Sequence, residues 1–210
     1  MKRVIAFAAL FFLLSASSPA VSVEASVDSI RAIAIPVPDE NGYGVLRNIC
    51  TASAIGDGSR WLSAAHCVSD PRFHYYINGE QVQVVKHDDK NDLVVLSTRR
   101  TRGKPLVLAK VSPRVGQAIL ILGHPLGYED LFQSSGQVIA ILNLENPEGL
   151  TREFLIFQAV GAPGNSGSPV LNMRGEIVSV VQIGWSRTFS PVMGGVNYEV
   201  LVKFVRSALQ

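Results

Sequence analysis

The sequence predicts an all-β protein of antiparallel barrels or a sandwich, closed by a short C-terminal helix. Three observations lead there. The first is a succession of short apolar and β-branched runs, at 30–37, 49–55, 60–64, 73–77, 81–85 and 93–96, then at 118–122, 136–142, 154–158, 169–171, 177–183 and 195–198. Strands of this length and spacing belong to barrels and sandwiches. The second is the punctuation between them: Gly56-Asp57-Gly58, Asn78-Gly79, Gly103, Pro113, Gly123 to Pro125, Pro147 to Gly149 and Arg174-Gly175. Asn78-Gly79 suits a two-residue hairpin, because a type I′ turn needs positive φ at both central positions. The third is a change of period at the end of the chain. Val200, Phe204 and Leu209, with Val202 and Val205 beside them, leave Lys203 and Arg206 outward, which predicts a helix over 199–209.

The runs fall about evenly on either side of 99–115, a stretch rich in Arg, Lys, Gly and Pro. That stretch predicts a connection between two lobes, 30–100 and 115–198. With 210 residues, 47% of them apolar and 17% charged, the chain can fill a core and is not disordered. The net charge is only +2. The densest basic patch, Arg99, Arg100, Arg102 and Lys104, has no interleaved aromatic residues. It reads as a solvated loop, and no nucleic-acid partner is expected.

The first 25 residues have the pattern of an export signal. Lys2 and Arg3 precede an unbroken apolar run from Val4 to Leu14, followed by small residues at Ser18-Pro19-Ala20 and Val23-Glu24-Ala25. Eleven apolar residues fall short of the ~20 that span a bilayer. Cleavage after Ala25, with Ala20 second, would release a secreted or periplasmic chain, 26–210, with no membrane insertion. Export would put Cys50 and Cys67, the only cysteines, in an oxidising compartment where a pair usually bridges. Such a bridge contributes ~3 kcal/mol by constraining the unfolded chain. Two buried free thiols are the alternative.

Three remote segments carry the chemistry. Leu62-Ser63-Ala64-Ala65-His66-Cys67-Val68 closes the run begun at Cys50. Asp92-Leu93-Val94-Val95-Leu96 puts an acid at the head of an apolar strand. Gly161-Ala162-Pro163-Gly164-Asn165-Ser166-Gly167-Ser168-Pro169 sets a serine between glycines. A serine hydroxyl is a weak nucleophile until a base takes its proton, and imidazole has a suitable pKa. A carboxylate holds that imidazole in one tautomer and stabilises its charged form. An oxyanion needs backbone donors fixed in advance, each worth ~3–4 kcal/mol. Gly164 and Gly167 permit the chain reversal that aims such donors. His66, Asp92 and Ser166 are therefore the candidate triad, with the N–H groups of Gly164 and Ser166 as the oxyanion hole. Asp88 and Asp89 compete with Asp92, but both have the setting of turn acids. Ser168 precedes Pro169 and lacks a following glycine, so it reads as a packing residue. His74, His87 and His124 read as structural.

These motifs resemble the three signatures of the chymotrypsin-like (trypsin-fold) serine proteases, in that family's order of His, Asp and Ser, over roughly residues 30–205. The resemblance implies two six-stranded antiparallel barrels with the active site between them, and a Cys50–Cys67 disulfide beside the histidine. Gly164-Asn165-Ser166-Gly167-Ser168-Pro169 is similar to the version in staphylococcal glutamyl endopeptidases and the periplasmic high-temperature-requirement proteases. In trypsin the residue before the serine is an aspartate neutralised by a freed N-terminus. Asn165 is uncharged, so activation by such an ion pair is not expected. The same resemblance places Val160 at the floor of the primary pocket, Gln182 and Gly184 on one wall and Gly195 on the opposite wall. No acid or histidine appears there, which implies a small or medium apolar P1 residue.

The elbow of α/β-hydrolases is excluded, because Ser168 stands where it needs glycine and the residue order is reversed. The implied activity is that of a serine endopeptidase acting on a protein or peptide, without metal or other cofactor, as a monomer. A catalytically silent homologue acting as a binding module is the competing reading. A chaperone-protease with a further C-terminal peptide-binding domain is not expected.

Overall fold

The structure, a computed structural model, describes residues 28–145, 151–184 and 189–210. The expected export signal at 1–25 and the breaker Pro147 to Gly149 lie outside the described residues. Among those described, no helix is long and apolar enough to cross a membrane.

The first lobe contains β1 (Ile30–Pro38), β2 (Gly44–Ile55), β3 (Arg60–Ser63), β4 (Tyr76–Ile77), β5 (Glu80–Gln81), β6 (Gln83–Asp88) and β7 (Leu93–Ser97). They form one antiparallel sheet in the order β5-β4-β1-β2-β3-β7-β6. The sheet curls into a half-barrel, where the resemblance implied a closed six-stranded barrel. The expected run 81–85 changes partner at Val82: its N–H extends the β4–β5 ladder to the Tyr75 carbonyl at 3.0 Å, while Gln83 onward pairs with β7, so β5 and β6 lie at the two edges of the sheet. The Asn78-Gly79 hairpin forms as expected, with φ of 50° and 74°, between paired Ile77 and Glu80.

The second lobe contains β8 (Ala118–Gly123), β9 (Phe132–Glu145), β10 (Thr151–Gly161), β11 (Pro169–Asn172), β12 (Ile177–Gly184) and β13 (Ser190–Val196). These six strands close into a barrel in the order β10-β13-β12-β11-β8-β9. The connection between lobes bonds to both of them. Leu106 donates to Ala54 at 2.8 Å, and Ala109 donates to Ile177 at 2.9 Å.

The last run ends early because Asn197 caps the helix α1 (Tyr198–Ala208), accepting from the N–H groups of Glu199 at 2.8 Å and Val200 at 3.4 Å. Leu201, Phe204, Val205 and Ala208 form its buried face, while Leu209 is 44% exposed. Val202, Phe204 and Val205 are buried as expected and Lys203 and Arg206 point outward as predicted, while Leu201 and Ala208 are buried at the ends where Val200 and Leu209 were expected. That face completes a cluster which draws Ile30, Ile55, Leu62 and Leu93 from the first lobe and Leu120, Leu171, Ile177 and Val180 from the second. Separate clusters fill each lobe, around Trp61 in the first and Phe157 in the second. Burying such side chains contributes roughly 1.5–3 kcal/mol each, so the shared cluster binds the lobes into one unit.

Candidate active site

His66 sits in a 3₁₀ turn, Ala65–Val68, that follows β3 directly. Cys67 in the same turn is bonded to Cys50 of β2, with Cα atoms 6.0 Å apart. The turn is thereby fixed to the sheet on both sides of the histidine. The imidazole is 45% exposed, while the Asp92 carboxyl beside it is 14% exposed. Asp92 Oδ2 lies 2.8 Å and Oδ1 3.1 Å from His66 Nδ1. Oδ1 also accepts the His66 backbone N–H at 2.8 Å. A carboxylate only accepts, so this contact puts the proton on Nδ1 and leaves the Nε2 lone pair free for a second partner.

The competing acids are occupied elsewhere. Asp88 accepts from the Asn91 backbone at 3.0 Å and from its side chain at 2.8 Å, closing the turn before β7. Asp89 is largely exposed and faces His87 at 3.5 Å. That turn leaves Asp92 with a φ of 52°, in the left-handed region that an aspartate enters at a cost of roughly 1 kcal/mol.

Ser166 is half-buried on the loop between β10 and β11. Its carbonyl accepts the Thr51 N–H at 2.9 Å, which joins it to β2 one residue from Cys50. The sulfurs of Cys50 and Cys67 and a His66 ring nitrogen all lie within 4.8 Å of one another, so the serine loop and the histidine meet across the disulfide. No hydrogen bond joins the Ser166 hydroxyl to His66.

Gly164 and Gly167 have φ of 99° and 82°. A Cβ on Gly167 would collide with Ser63 Oγ and the Thr51 carbonyl, and one on Gly164 with the His124 carbonyl. The loop thus needs glycine for space as well as for backbone angle. Thr51 is the brace that sequence reasoning missed. Its hydroxyl donates to the Gly164 carbonyl at 2.9 Å and accepts the His124 N–H at 3.0 Å. That bond also sets the plane of the following peptide, whose Asn165 N–H donates to the Ala162 carbonyl at 3.0 Å. Among the described residues, neither the Gly164 nor the Ser166 N–H meets a protein acceptor. His124 is buried, and among the described residues its ring nitrogens make no hydrogen bond of normal geometry. Burial holds its imidazole below the ordinary value, while backbone groups of Tyr128, Asp130 and Glu129, near the ring but outside that geometry, act in the opposite direction.

A cavity of about 100 Å³ opens beside Ser166, lined by residues including Gly161, Val181, Ile183, Gly184, Ser190 and Met193. Of the four positions expected there, Gly184 lines it and three do not. Val160 is 60% exposed and faces an adjoining cavity with Ile121 and Phe132, which shares Gly161, Ala162 and Asn165 with this one; alternation along β10 turns Val160 out and Gly161 in. Gly195 packs its Cα against Ser179 and the Val180 carbonyl. Gln182 stands at a register shift, where Val181 pairs with Gly195 and Ile183 with Gly194. The irregularity aims its side chain at the first lobe. Met193 occupies the base instead, its sulfur lying where a Cβ on Gly161 would be.

An open sheet and a closed barrel sharing one apolar seam, with a His–Asp pair on the first and a glycine-flanked serine on the second, define the trypsin-like fold. The chain belongs to the trypsin-like peptidase domain family, whose profile matches residues 50–180. Protease Do-like 5, chloroplastic, of Arabidopsis thaliana is 32% identical over 130 residues, 59% of this chain. The chain spans only 39% of that relative's length. Among solved structures, the active form of the Rv3671c protease from M. tuberculosis superposes with a TM-score of 0.72 at 20% identity, over 88% of this chain and 82% of that one. The HtrA-type protease AlgW with tripeptide gives a TM-score of 0.72 at 16% identity, over 90% of this chain and 62% of that one. At such identities the likeness is one of fold.

Proposed function

We propose that this protein is an exported serine endopeptidase, in which Ser166 attacks the peptide carbonyl, His66 carries the proton and Asp92 orients the imidazole. The observation that carries the reading is the His66 Nδ1–Asp92 contact at 2.8 Å on the first lobe, set against a serine loop that Thr51 bonds to the same lobe. In the first half-reaction Nε2 accepts the Ser166 proton as Oγ bonds to the carbonyl carbon. The resulting oxyanion is held by the Gly164 and Ser166 N–H groups. The imidazolium then gives its proton to the departing amine, leaving an acyl-serine. Water, deprotonated by the same imidazole, releases the acid and restores the hydroxyl.

The uncharged Asn165 supports activity without an N-terminal ion pair. Residues 1–25 serve as an export signal, and 26–210 form a secreted or periplasmic domain that acts as a monomer. The small cavity closed by Met193 and Ile183 supports a small or medium apolar P1 residue, with Gly184 on its wall. The purified exported protein is expected to cleave a peptide library after such residues, and Ser166→Ala is expected to abolish cleavage. Dominant cleavage after Lys, Arg or Glu contradicts the pocket assignment. A folded protein that hydrolyses no peptide favours the silent binding module.

A further inference from the structure

Gln182 is a buried amide, 6% exposed, that no step of the proposed chemistry uses. It belongs to β12 of the barrel, yet its side chain leaves its own lobe. Nε2 donates to the Asn91 carbonyl at 2.6 Å and to the Asp92 carbonyl at 2.8 Å. Both N–H hydrogens of the amide are therefore spent on two successive peptide groups in the turn that presents the Asp92 carboxylate. Arg152 of β10 adds a further bond from the second lobe, to the Lys90 carbonyl at 3.1 Å.

Three features give these contacts meaning. Asp92 has a φ of 52°, a backbone state that persists only where its surroundings enforce it. Gln182 stands at the register shift between Val181 and Ile183, and β-bulges re-aim side chains in this way. The rest of the turn, closed by Asp88 on Asn91, fixes the residues before Asp92 but not its own carbonyl. The amide supplies that missing restraint from across the cleft.

We propose that Gln182 is a positioning residue for Asp92: its amide clamps the peptides on either side of the acid, so that the barrel carrying Ser166 also fixes the direction of the carboxylate towards His66. This assignment rests on the reading of Asp92 as the orienting acid. It makes alignment of the triad depend on how the lobes are docked, and it gives Gln182 a role distinct from a substrate contact.

The test uses Gln182→Met, which keeps the length and apolar stem but has no donor, and Gln182→Glu, which sets an anion against two carbonyl oxygens. For Gln182→Met, kcat is expected to fall about 10- to 100-fold with KM within twofold of the parent, the range seen when an outer partner of a functional group is removed. Gln182→Glu is expected to fall further. The low-field proton resonance of His66 Nδ1–H, read by NMR without substrate, is expected to broaden or move upfield in both. Unchanged kcat with raised KM would make Gln182 a subsite residue, and an unmoved resonance in the folded variants would also overturn the clamp. The resonance is independent of turnover. If the parent protein hydrolyses nothing, the enzymatic reading fails while the clamp is still judged by the spectrum. If one variant does not fold, as read by its thermal melt, the other carries the test.

Discussion

The two lobes present their functional residues by opposite means. The first is an open sheet with short edge strands, and its two residues sit on turns that need outside support. His66 is tied by the disulfide, and Asp92 by Asp88, Asn91 and the amide of Gln182. The second is a closed barrel without free edges, and its serine loop stands on glycines packed too tightly for a Cβ. Closure gives the barrel a rigid frame from which Ser166 can be offered with few helpers. The open lobe achieves comparable order only through covalent and inter-lobe bonds. Site geometry in this fold is therefore shared, because Thr51 of the first lobe braces the serine loop while Gln182 of the second braces the acid turn.

The largest expected effect strikes the open lobe's pair. Asp92→Asn keeps the shape but puts an amide N–H or oxygen against Nδ1, which unsettles the tautomer, and kcat is expected to drop about 10⁴-fold with the fold intact. A loss below tenfold in steady-state kinetics would remove Asp92 from the triad. Next comes the covalent tie. Replacing Cys50 and Cys67 together by Ala is expected to lower stability by about 3 kcal/mol in chemical unfolding, with activity falling as the His66 turn loosens. Equal stability of the two forms would show that the open sheet holds that turn unaided. A smaller loss is expected from Thr51→Val, about 1–3 kcal/mol, because the Gly164 carbonyl and the His124 N–H lose a buried partner. The comparison is sharpened if kcat falls in that variant as well, since a first-lobe residue would then be tuning the second lobe's loop.

On the barrel side, Met193→Ala enlarges the cavity beside Ser166. It is expected to shift kcat/KM by about tenfold towards larger apolar P1 residues, the scale at which apolar pockets discriminate. A peptide-library profile that does not change would place the primary pocket elsewhere. The smallest effect lies at the edge of the open sheet. The Glu80 carboxylate accepts backbone N–H groups from Thr101, Arg99 and Arg100, and these bonds, Thr101's first, hold its pKa at about 2 against an ordinary 4.5. A depressed folded-state pKa means that the contribution is complete above about 4.5 and is lost as pH falls towards about 2. Thermal melts of Glu80→Gln are therefore expected to depend less on pH across that window than those of the parent.

Much of this arrangement was legible in the chain. Short runs and turn residues announced the strands, and Asn78-Gly79 announced its hairpin. The motifs around His66, Asp92 and Ser166 pointed to segments that the fold ties together through the Thr51–Ser166 bond and the Cys50–Cys67 disulfide. What stayed hidden depends on register. A residue count back from the serine ignores the alternation that turns Val160 outward and Gly161 inward. The irregularity at Gln182 reverses a side chain without any local mark in sequence. Thr51 is one more β-branched residue in an apolar strand until the serine loop arrives from more than a hundred positions away. The run at 81–85 likewise divides because its first residues pair with β4 and its later ones with β7.

The most direct test of the central claim is covalent. The exported protein is treated with a fluorophosphonate, and the adduct is mapped by peptide mass spectrometry in the parent and in His66→Ala. A single adduct on the Ser166 hydroxyl, formed far more slowly in His66→Ala, is the predicted result. Labelling at another residue, or labelling of Ser166 at the same rate without the imidazole, would contradict it.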